Sequence, residues 1–343
     1  MLEVTPETAA DYLRERGRVP ASRDVRVQAL GWGVSNVVMR VDVEGEPAFV
    51  LKQARERLRT KALWISRLDR IWTERAALDL LGQVLPDADG VIPRVLFAEP
   101  DDYLFAMTCA PDDSVVWKER LLAGEADVAV TRAAGSILGS IHRETSGHPA
   151  LQQAPLAETV VFGQLRIDPF YRTIARVHPD LAPEIHALIE SLADPVTRTF
   201  VHADFSPKNI LVHSAGLTLV DFETAHAGDP AYDLGFVLSH LLLKGVRAVP
   251  ADGSFLALTR TFHDAYLERV GALLDPGLVR RACLHAAACS LARVDGTSPV
   301  DYLDAAKQAT VRQFARAALH ARPATWDEVL DLLAREMQTA YSF

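Results

Sequence analysis

His202-Ala203-Asp204-Phe205-Ser206-Pro207-Lys208-Asn209 runs into Ile210-Leu211-Val212, and after a second apolar run, Leu217-Thr218-Leu219-Val220, comes Asp221-Phe222-Glu223. Phe200 and Val201 precede the histidine, so short strand-like runs bracket both polar segments. Phosphoryl transfer to an alcohol needs a carboxylate beside the attacking hydroxyl, metal ligands across the phosphates, and a cation to position them. Asp204, on a loop directly after a strand, suits the carboxylate that orients a hydroxyl and accepts its proton. Asn209 at the far end of the loop can offer a carbonyl oxygen to Mg2+, and Asp221 leaves the second strand of a hairpin, so both ligands can reach one rim of the sheet. A surface loop with ordinary Asp and Asn turn residues would explain any one of these positions. Three in order, flanked by apolar strands, fit that explanation poorly.

Working outward toward the N-terminus, Thr5-Pro6-Glu7 predicts a helix that runs through Tyr12 and Leu13 to a stop at Gly17. Val25, Val27 and Leu30, then Val37 to Val43, then Ala48 to Lys52, predict three successive antiparallel strands. Helical spacing returns from Lys61 to Leu81, with Gly82 placed to end the helix. Two short strands are expected at 94–98 and 103–107. Lys52 ends an apolar strand, where a lysine is costly without a partner. Glu74 shares the inward face of its helix with Ile71 and Leu78 and answers it. The alternative is an exposed strand end and a glutamate on the helix surface. Gly31-Trp32-Gly33-Val34-Ser35-Asn36 lies between the first two strands, where backbone N–H groups of a glycine-rich loop would cover phosphates, with Ser35 and Asn36 as further donors. It lacks the full G-x-G-x-x-G pattern, and a tight hairpin turn reads the same residues equally well.

Beyond Thr108-Cys109-Ala110-Pro111 the composition turns helical, with Ala/Leu-rich stretches near 116–123, 125–145 and 170–193. The expected domains are therefore 1–110, an N-terminal nucleotide-binding lobe, and 111–343, a C-terminal catalytic and substrate-binding lobe. From Ala231 to Tyr341 helices are expected, broken near Pro276, Pro299 and Pro323. Asp229, ahead of Pro230, reads as a helix N-cap.

Of 343 residues, 49% are hydrophobic and 24% charged, enough for two cores. No apolar run long enough for a membrane span is present, and the N-terminus lacks the order of a signal peptide, which predicts a cytoplasmic protein without membrane partners. A formal charge of −9, from 36 Lys+Arg against 45 Asp+Glu, opposes nonspecific attraction to nucleic acid. The three cysteines are too scattered for a disulfide framework or a zinc knuckle and read as buried thiols. The partner expected is a small molecule; nothing in the pattern bears on oligomeric state.

The segment from His202 to Glu223 resembles the H-x-D-x-x-x-x-N and D-F-x motifs of the aminoglycoside phosphotransferase and choline kinase superfamily, relatives of the protein kinases. The stretch Phe49 to Ala54, with Leu68-Asp69-Arg70, is also similar to methylthioribose kinases. The resemblance covers nearly the whole chain. It implies an α+β, two-lobed protein-kinase-like fold with a small antiparallel-sheet N-lobe and a mainly helical C-lobe. It implies transfer of the gamma-phosphate of ATP, or of GTP in its place, to a hydroxyl of an aminoglycoside-like or sugar-like small molecule. Asp204 would be the base, Asn209 and Asp221 would hold Mg2+, and a Lys52 ammonium aimed by Glu74, together with Gly31, Gly33 and Ser35, would hold the nucleotide. Asp233 would brace the catalytic loop, and His202 and His142 would pack rather than react.

Protein kinases hold peptides on an activation segment between the D-F-x motif and the following helix, and the short link from Asp221 to Asp229 leaves no room for one. The acceptor should be compact, walled by the helices after Ala231. Arg166, Asp168, Tyr171, Arg172, Arg293 and Asp295 are candidate pocket residues that also read as surface pairs, and Asp168, Asp295 and Asp301 could favour a cationic amino sugar if folding brought them to the rim. A methylthioribose-type metabolic sugar kinase is one alternative. A non-catalytic nucleotide-binding regulator is another, disfavoured because Lys52, Asp204, Asn209 and Asp221 are all present.

Overall fold

Alternating side chains build the first sheet. α1 (Ala9–Glu15) precedes a meander of β1 (Val25–Ala29), β2 (Asn36–Val43) and β3 (Phe49–Ala54). After α2 (Arg70–Val84) come β4 (Val95–Glu99) and β5 (Leu104–Thr108), and the antiparallel order is β1-β2-β3-β5-β4. The structure is a computed structural model describing residues 2–31, 36–55, 67–85, 90–248, 253–271, 275 and 277–341.

The central strand β3 is buried along its whole length. Leu51 joins Met39, Val41, Leu104 and Ala106 in a small core closed by Tyr12 and Leu13 of α1. Val50, on the opposite face, packs into the main core with Ile71 and Leu78 of α2. Period two along a strand puts Lys52 on the Val50 face, under α2.

The helix predicted to start at Lys61 is found from Arg70; residues 61–66 lie outside the described set. Nor does it stop at Gly82. It continues to Val84 and ends where Leu85 turns extended, with ψ 126°. Pro86 follows, and the residue before a proline is driven out of the helical region. The proline, not the glycine, carries the stop signal.

The second lobe opens with β6 (Val115–Val116), α3 (Trp117–Leu122) and α4 (Val128–Thr145). A helical turn, α5 (Val160–Phe162), continues with π spacing over Gly163–Arg172 into α6 (Thr173–Val177), and α7 (Ala182–Ala193) follows a break at Pro179. The single helical stretch expected over 170–193 is thus divided. Pro169 removes one N–H from the helix ladder within the π-spaced segment.

Three short strands then frame the polar loops: β7 (Thr199–Val201), β8 (Ile210–His213) and β9 (Gly216–Leu219), the last two forming the expected hairpin with Ile210 opposite Leu219. A further strand, β10 (His226–Gly228), pairs with β7 and fills the link between Asp221 and Asp229. The remainder is helical: α8 (Pro230–Ala248), α9 (Ser254–Val270), α10 (Leu278–Asp295), α11 (Ala305–Ala321) and α12 (Trp326–Tyr341).

This is a two-lobed, protein-kinase-like α+β fold with a small antiparallel N-lobe sheet and a mainly helical C-lobe. Gly235 lets α8 and α10 approach closely, since a Cβ there would stand 2.5 Å from the Ala282 carbonyl. Among the described residues no helix is long and apolar enough to cross a membrane.

Candidate active site

The loop after β7 is held from below. Asp233, fully buried in the first turn of α8, accepts from the backbone N–H of His202 at 2.7 Å and of Ala203 at 2.8 Å. These two bonds hold Ala203 at φ 61°, a left-handed conformation that costs a non-glycine residue about 1–2 kcal/mol. His202 is buried, takes the Asp204 N–H on Nδ1 at 3.3 Å and lies 4.5 Å from the Phe222 ring. His142, also buried, binds the Tyr266 hydroxyl at 2.9 Å and approaches Asp233 at 3.4 Å. Both histidines are enclosed in the support of the loop.

That support presents Asp204. The amide of Asn209 donates to Asp204 Oδ2 at 2.7 Å and to its carbonyl at 3.0 Å, which leaves the Asn209 carbonyl oxygen available as an acceptor. Arg166, from the π-spaced segment, faces the other carboxylate oxygen at 2.9 Å and donates through Nε to the Ala203 carbonyl at 2.7 Å. Burial disfavours the charge on Arg166, but Asp204 outweighs it and the guanidinium is held more firmly protonated. In the sequence Arg166 was one candidate among several; only the π spacing, which no local pattern announces, brings it to Asp204.

Lys52 lies in the cleft between the lobes, with its ammonium 2.6 Å from Glu74 and 3.0 Å from Asp221. Burial opposes the lysine's charge, yet Asp221, Glu74 and Glu223 together raise its pKa. Burial would also raise Asp221, but the Lys52 ammonium and Lys208 hold its carboxyl well below the usual range. Glu74 differs. There burial wins against the pull of Lys52, and the carboxyl is pushed up to about 7. Asp221 itself sits at φ 69°, a second strained backbone position within the same constellation.

Glu223 occupies the third position of the D-F-x motif, where protein kinases carry glycine. Its carboxylate accepts from Asn36 at 2.8 Å and from Nε of Arg70 at 3.0 Å. Arg70 is fully buried and also donates to the Arg55 carbonyl at 2.7 Å, so the start of α2, the start of β2 and the end of β3 are all tied to the C-lobe through one carboxylate. The signal for it was an arginine within an inward-facing helical stretch, next to a motif glutamate that had no other assigned work. Of the expected phosphate-covering residues, Gly31 is exposed beside Leu30 at the cleft. Gly33 and Ser35 lie outside the described residues.

Two cavities meet at this constellation. One, of about 390 Å³, lies between the lobes, with Val38 and Val50 above, Leu211 and Val220 below, and Lys52 and Asn209 along its polar side. It is bordered by the chain from Met107 to Ala110. The other, of about 320 Å³, lies within the C-lobe and is lined by Asp204, Arg166 and residues of α8 and α10. Lys208 and Asp221 line both. Lys208 carried no role in the sequence reading, although a cation inside a loop of this kind was a visible cue.

The acids expected at an amino-sugar rim are elsewhere. Asp168 pairs with Arg172 on an exposed surface, Asp295 is taken by Arg312 at 2.8 Å and His178 at 2.9 Å, and Asp301 is exposed. None lines either cavity. Tyr171 is buried against His285, whereas Arg166 and Arg293 do line the second cavity.

As a metal site the cleft offers one carboxylate, Asp221, and one amide oxygen, Asn209, and among the described residues there is no group of three or more His, Cys, Asp or Glu suited to a metal. Two oxygen donors fit a hard cation that completes its shell with phosphate and water; they do not fit a zinc cage.

A sheet-roofed cleft that meets a second, partly open cavity on a protein-kinase-like fold is the arrangement expected of a kinase-like phosphotransferase. Residues 26–268 match the phosphotransferase enzyme family, APH, and the chain is a member of that family. A methylthioribose kinase of Bacillus cereus (strain G9842) is 24% identical over 274 residues, 71% of this chain and 67% of that protein. Among solved structures, a choline/ethanolamine kinase family protein from Mesorhizobium loti superposes with a TM-score of 0.54 at 17% identity, over 97% of this chain and 99% of that one. Amicoumacin kinase, in complex with AMP-PNP, Ca2+ and Ami, superposes with a TM-score of 0.54 at 15% identity, over 94% of this chain and 97% of that one. Likeness at these identities shows the fold. The non-catalytic alternative falls with membership of an enzyme family.

Proposed function

We propose that the protein transfers the gamma-phosphate of ATP, or of GTP, to a hydroxyl of a small molecule, with the nucleotide in the cleft and the acceptor in the second cavity. The observation that carries this reading is the junction of the two cavities at Lys208 and Asp221, with Asp204 opening onto the second cavity only. Residues 1–110 then serve the nucleotide and residues 111–343 the chemistry and the acceptor.

In this reading the apolar walls of Val38, Val50, Leu211 and Val220 sandwich the base, and Lys52, aligned by Glu74, contacts the phosphates. Asn209 and Asp221 would hold Mg2+, which when bound neutralises phosphate charge; a complex of a structural relative carries a nucleotide analogue with a divalent cation, in keeping with this. Asp204 accepts a hydrogen bond from the acceptor hydroxyl and takes its proton as the oxygen bonds to the γ-phosphorus, while the bond to the β-phosphate oxygen breaks and the nucleoside diphosphate leaves. Asn209 and Arg166 fix both oxygens of that carboxylate, and Lys208 stands where the phosphoryl group would cross.

Coupled ADP release with Mg2+-ATP or Mg2+-GTP tests the reading against aminoglycosides, methylthioribose, choline, sugars and peptides. Turnover of a small hydroxyl compound supports it. Turnover of peptides alone would overturn it.

A further inference from the structure

Resting on that reading, the second cavity's own charges narrow the acceptor. Three acids line it, and each already has a cation: Asp204 with Arg166, Asp221 with Lys52, Glu223 with Arg70. Four further cations line the same cavity, Lys118, Lys208, Lys244 and Arg293, and among the described residues none of them has a carboxylate within ion-pair distance.

Lys244, on α8, is 2% exposed; its ammonium donates to the His240 carbonyl at 3.1 Å and lies 5.2 Å from the centre of the Tyr302 ring. Arg293, on α10, gives Nη1 to the carbonyl and hydroxyl of Ser298. Its Nε and the Tyr302 hydroxyl are buried without a hydrogen-bond partner. Burial of a cation with no counter-charge is costly. Accordingly burial, reinforced by Lys118, Arg293 and Arg247, pushes Lys244 down to about 7, and burial draws Arg293 down as well. Lys52 and Arg166 are comparably enclosed but have acids beside them, and both are raised instead.

We propose that the acceptor is a hydroxylated small molecule carrying a carboxylate or phosphate group, which Lys244 and Arg293 receive while the hydroxyl lies at Asp204. Lys244 supplies a point charge, Arg293 a planar set of donors that suits either oxyanion, and the Tyr302 hydroxyl a neutral donor. Among the described residues that line this cavity, an ammonium group has no unpaired acid to meet. The anionic group itself is unchanged by the transfer.

A matched set separates the possibilities: glucose, glucosamine, gluconate and glucose 6-phosphate, assayed by ADP release with wild type, Lys244→Met and Arg293→Gln. Either anionic member is expected to exceed the neutral sugar in kcat/KM by about 10-fold or more, with that preference reduced to about 3-fold or less in both variants. Gluconate against glucose 6-phosphate distinguishes carboxylate from phosphate. A preference for glucose or glucosamine would overturn the inference while leaving the kinase reading intact. Inorganic phosphate provides a second measure that needs no turnover. With the cleft saturated by a non-hydrolysable ATP analogue, phosphate is expected to raise the Tm of the wild type and to leave that of Lys244→Met unmoved. An equal phosphate shift in both, or none in the wild type, would overturn the inference whatever the acceptor screen gives. Lys244→Met without phosphate should melt at or above the wild type, because it removes an uncompensated buried charge.

Discussion

Arg166 and Asp204 meet guanidinium to carboxylate, Nη2 to Oδ1 at 2.9 Å, and the same guanidinium holds the Ala203 carbonyl one residue earlier. Arg166 therefore fixes both the proposed base and the strained residue that aims it. Asp204→Asn is expected to fold, bind nucleotide and lose about 10²-fold or more in kcat. Arg166→Met should lose about 10-fold in kcat with nucleotide KM little changed, and the two losses should not add, since both act on one carboxylate. Additive losses in steady-state kinetics would separate Arg166 from the mechanism.

Buried Lys52 and Glu74 and half-buried Asp221 form one chain of charges, so removing a single member strands the others. Lys52→Met is expected to weaken nucleotide binding and to cost about 3–5 kcal/mol of stability, as breaking a buried pair does. Asp221→Asn should chiefly weaken the metal-nucleotide complex. In a double-mutant cycle of Lys52→Met and Glu74→Gln, additivity on activity would show that the pair is not a functional unit.

Glu74 makes the stability of this chain dependent on pH. Its carboxyl is raised in the folded protein from 4.5 to about 7, so its contribution is full below about 4.5 and is lost as the pH rises through about 7. Asp221 acts in the opposite sense: its lowered carboxyl contributes above its ordinary value of 3.8 and loses that contribution as the pH falls. The Tm of the wild type should therefore decline from weakly acid to neutral pH, and Glu74→Gln should flatten that decline. Parallel curves for the two proteins would mean that Glu74 stays charged throughout.

The loop and its hairpin were legible because strand signals and motif residues alternate over a short span, and the pairing of Lys52 and Glu74 was legible because both lie on inward faces with nothing else to compensate them. Neither Arg166 nor the Arg70 tie could be read with the same force. Arg166 depends on a π-spaced backbone, and Arg70 reaches Glu223 across 153 positions of sequence. The charge of the second cavity was out of reach altogether: Lys118, Lys244 and Arg293 come from three separate helices, and only packing shows that none of them meets an acid among the described residues. The sequence offers Asp168, Asp295 and Asp301 as acceptor-binding charges if folding brings them to the rim, and only packing shows that two of them are taken by Arg172 and Arg312.

Glu223 joins the lobes, and its loss should show in stability before it shows in chemistry. Glu223→Gln removes the carboxylate charge that meets Nε of the fully buried Arg70 at 3.0 Å, at an expected cost of about 3–5 kcal/mol. The double variant Arg70→Met with Glu223→Gln should be less destabilised than the sum of the single variants, because it removes the stranded charge. Denaturant melts in the absence of nucleotide give the comparison, and strict additivity would show that the contact contributes little.

Lys244 offers a pH signature for the acceptor itself. The groups around it are Lys118 from α3, Arg293 from α10, His240 and Arg247 from its own helix, and Tyr302 from the segment before α11, and among the described residues no carboxylate stands within ion-pair distance of Lys244. With its pKa lowered from 10.5 to about 7, Lys244 destabilises the acceptor-free protein most where it is charged, so stability should rise as the pH climbs from about 7 toward its ordinary value. Binding of an anion requires the opposite state. The acceptor KM should therefore increase by up to about tenfold per pH unit above about 7, while the nucleotide KM does not follow it. Lys244→Met should remove both trends at once. An acceptor KM that is flat from pH 7 to 9 in the wild type, or one that rises identically in the variant, would assign the titration to another group and remove Lys244 from recognition of the acceptor.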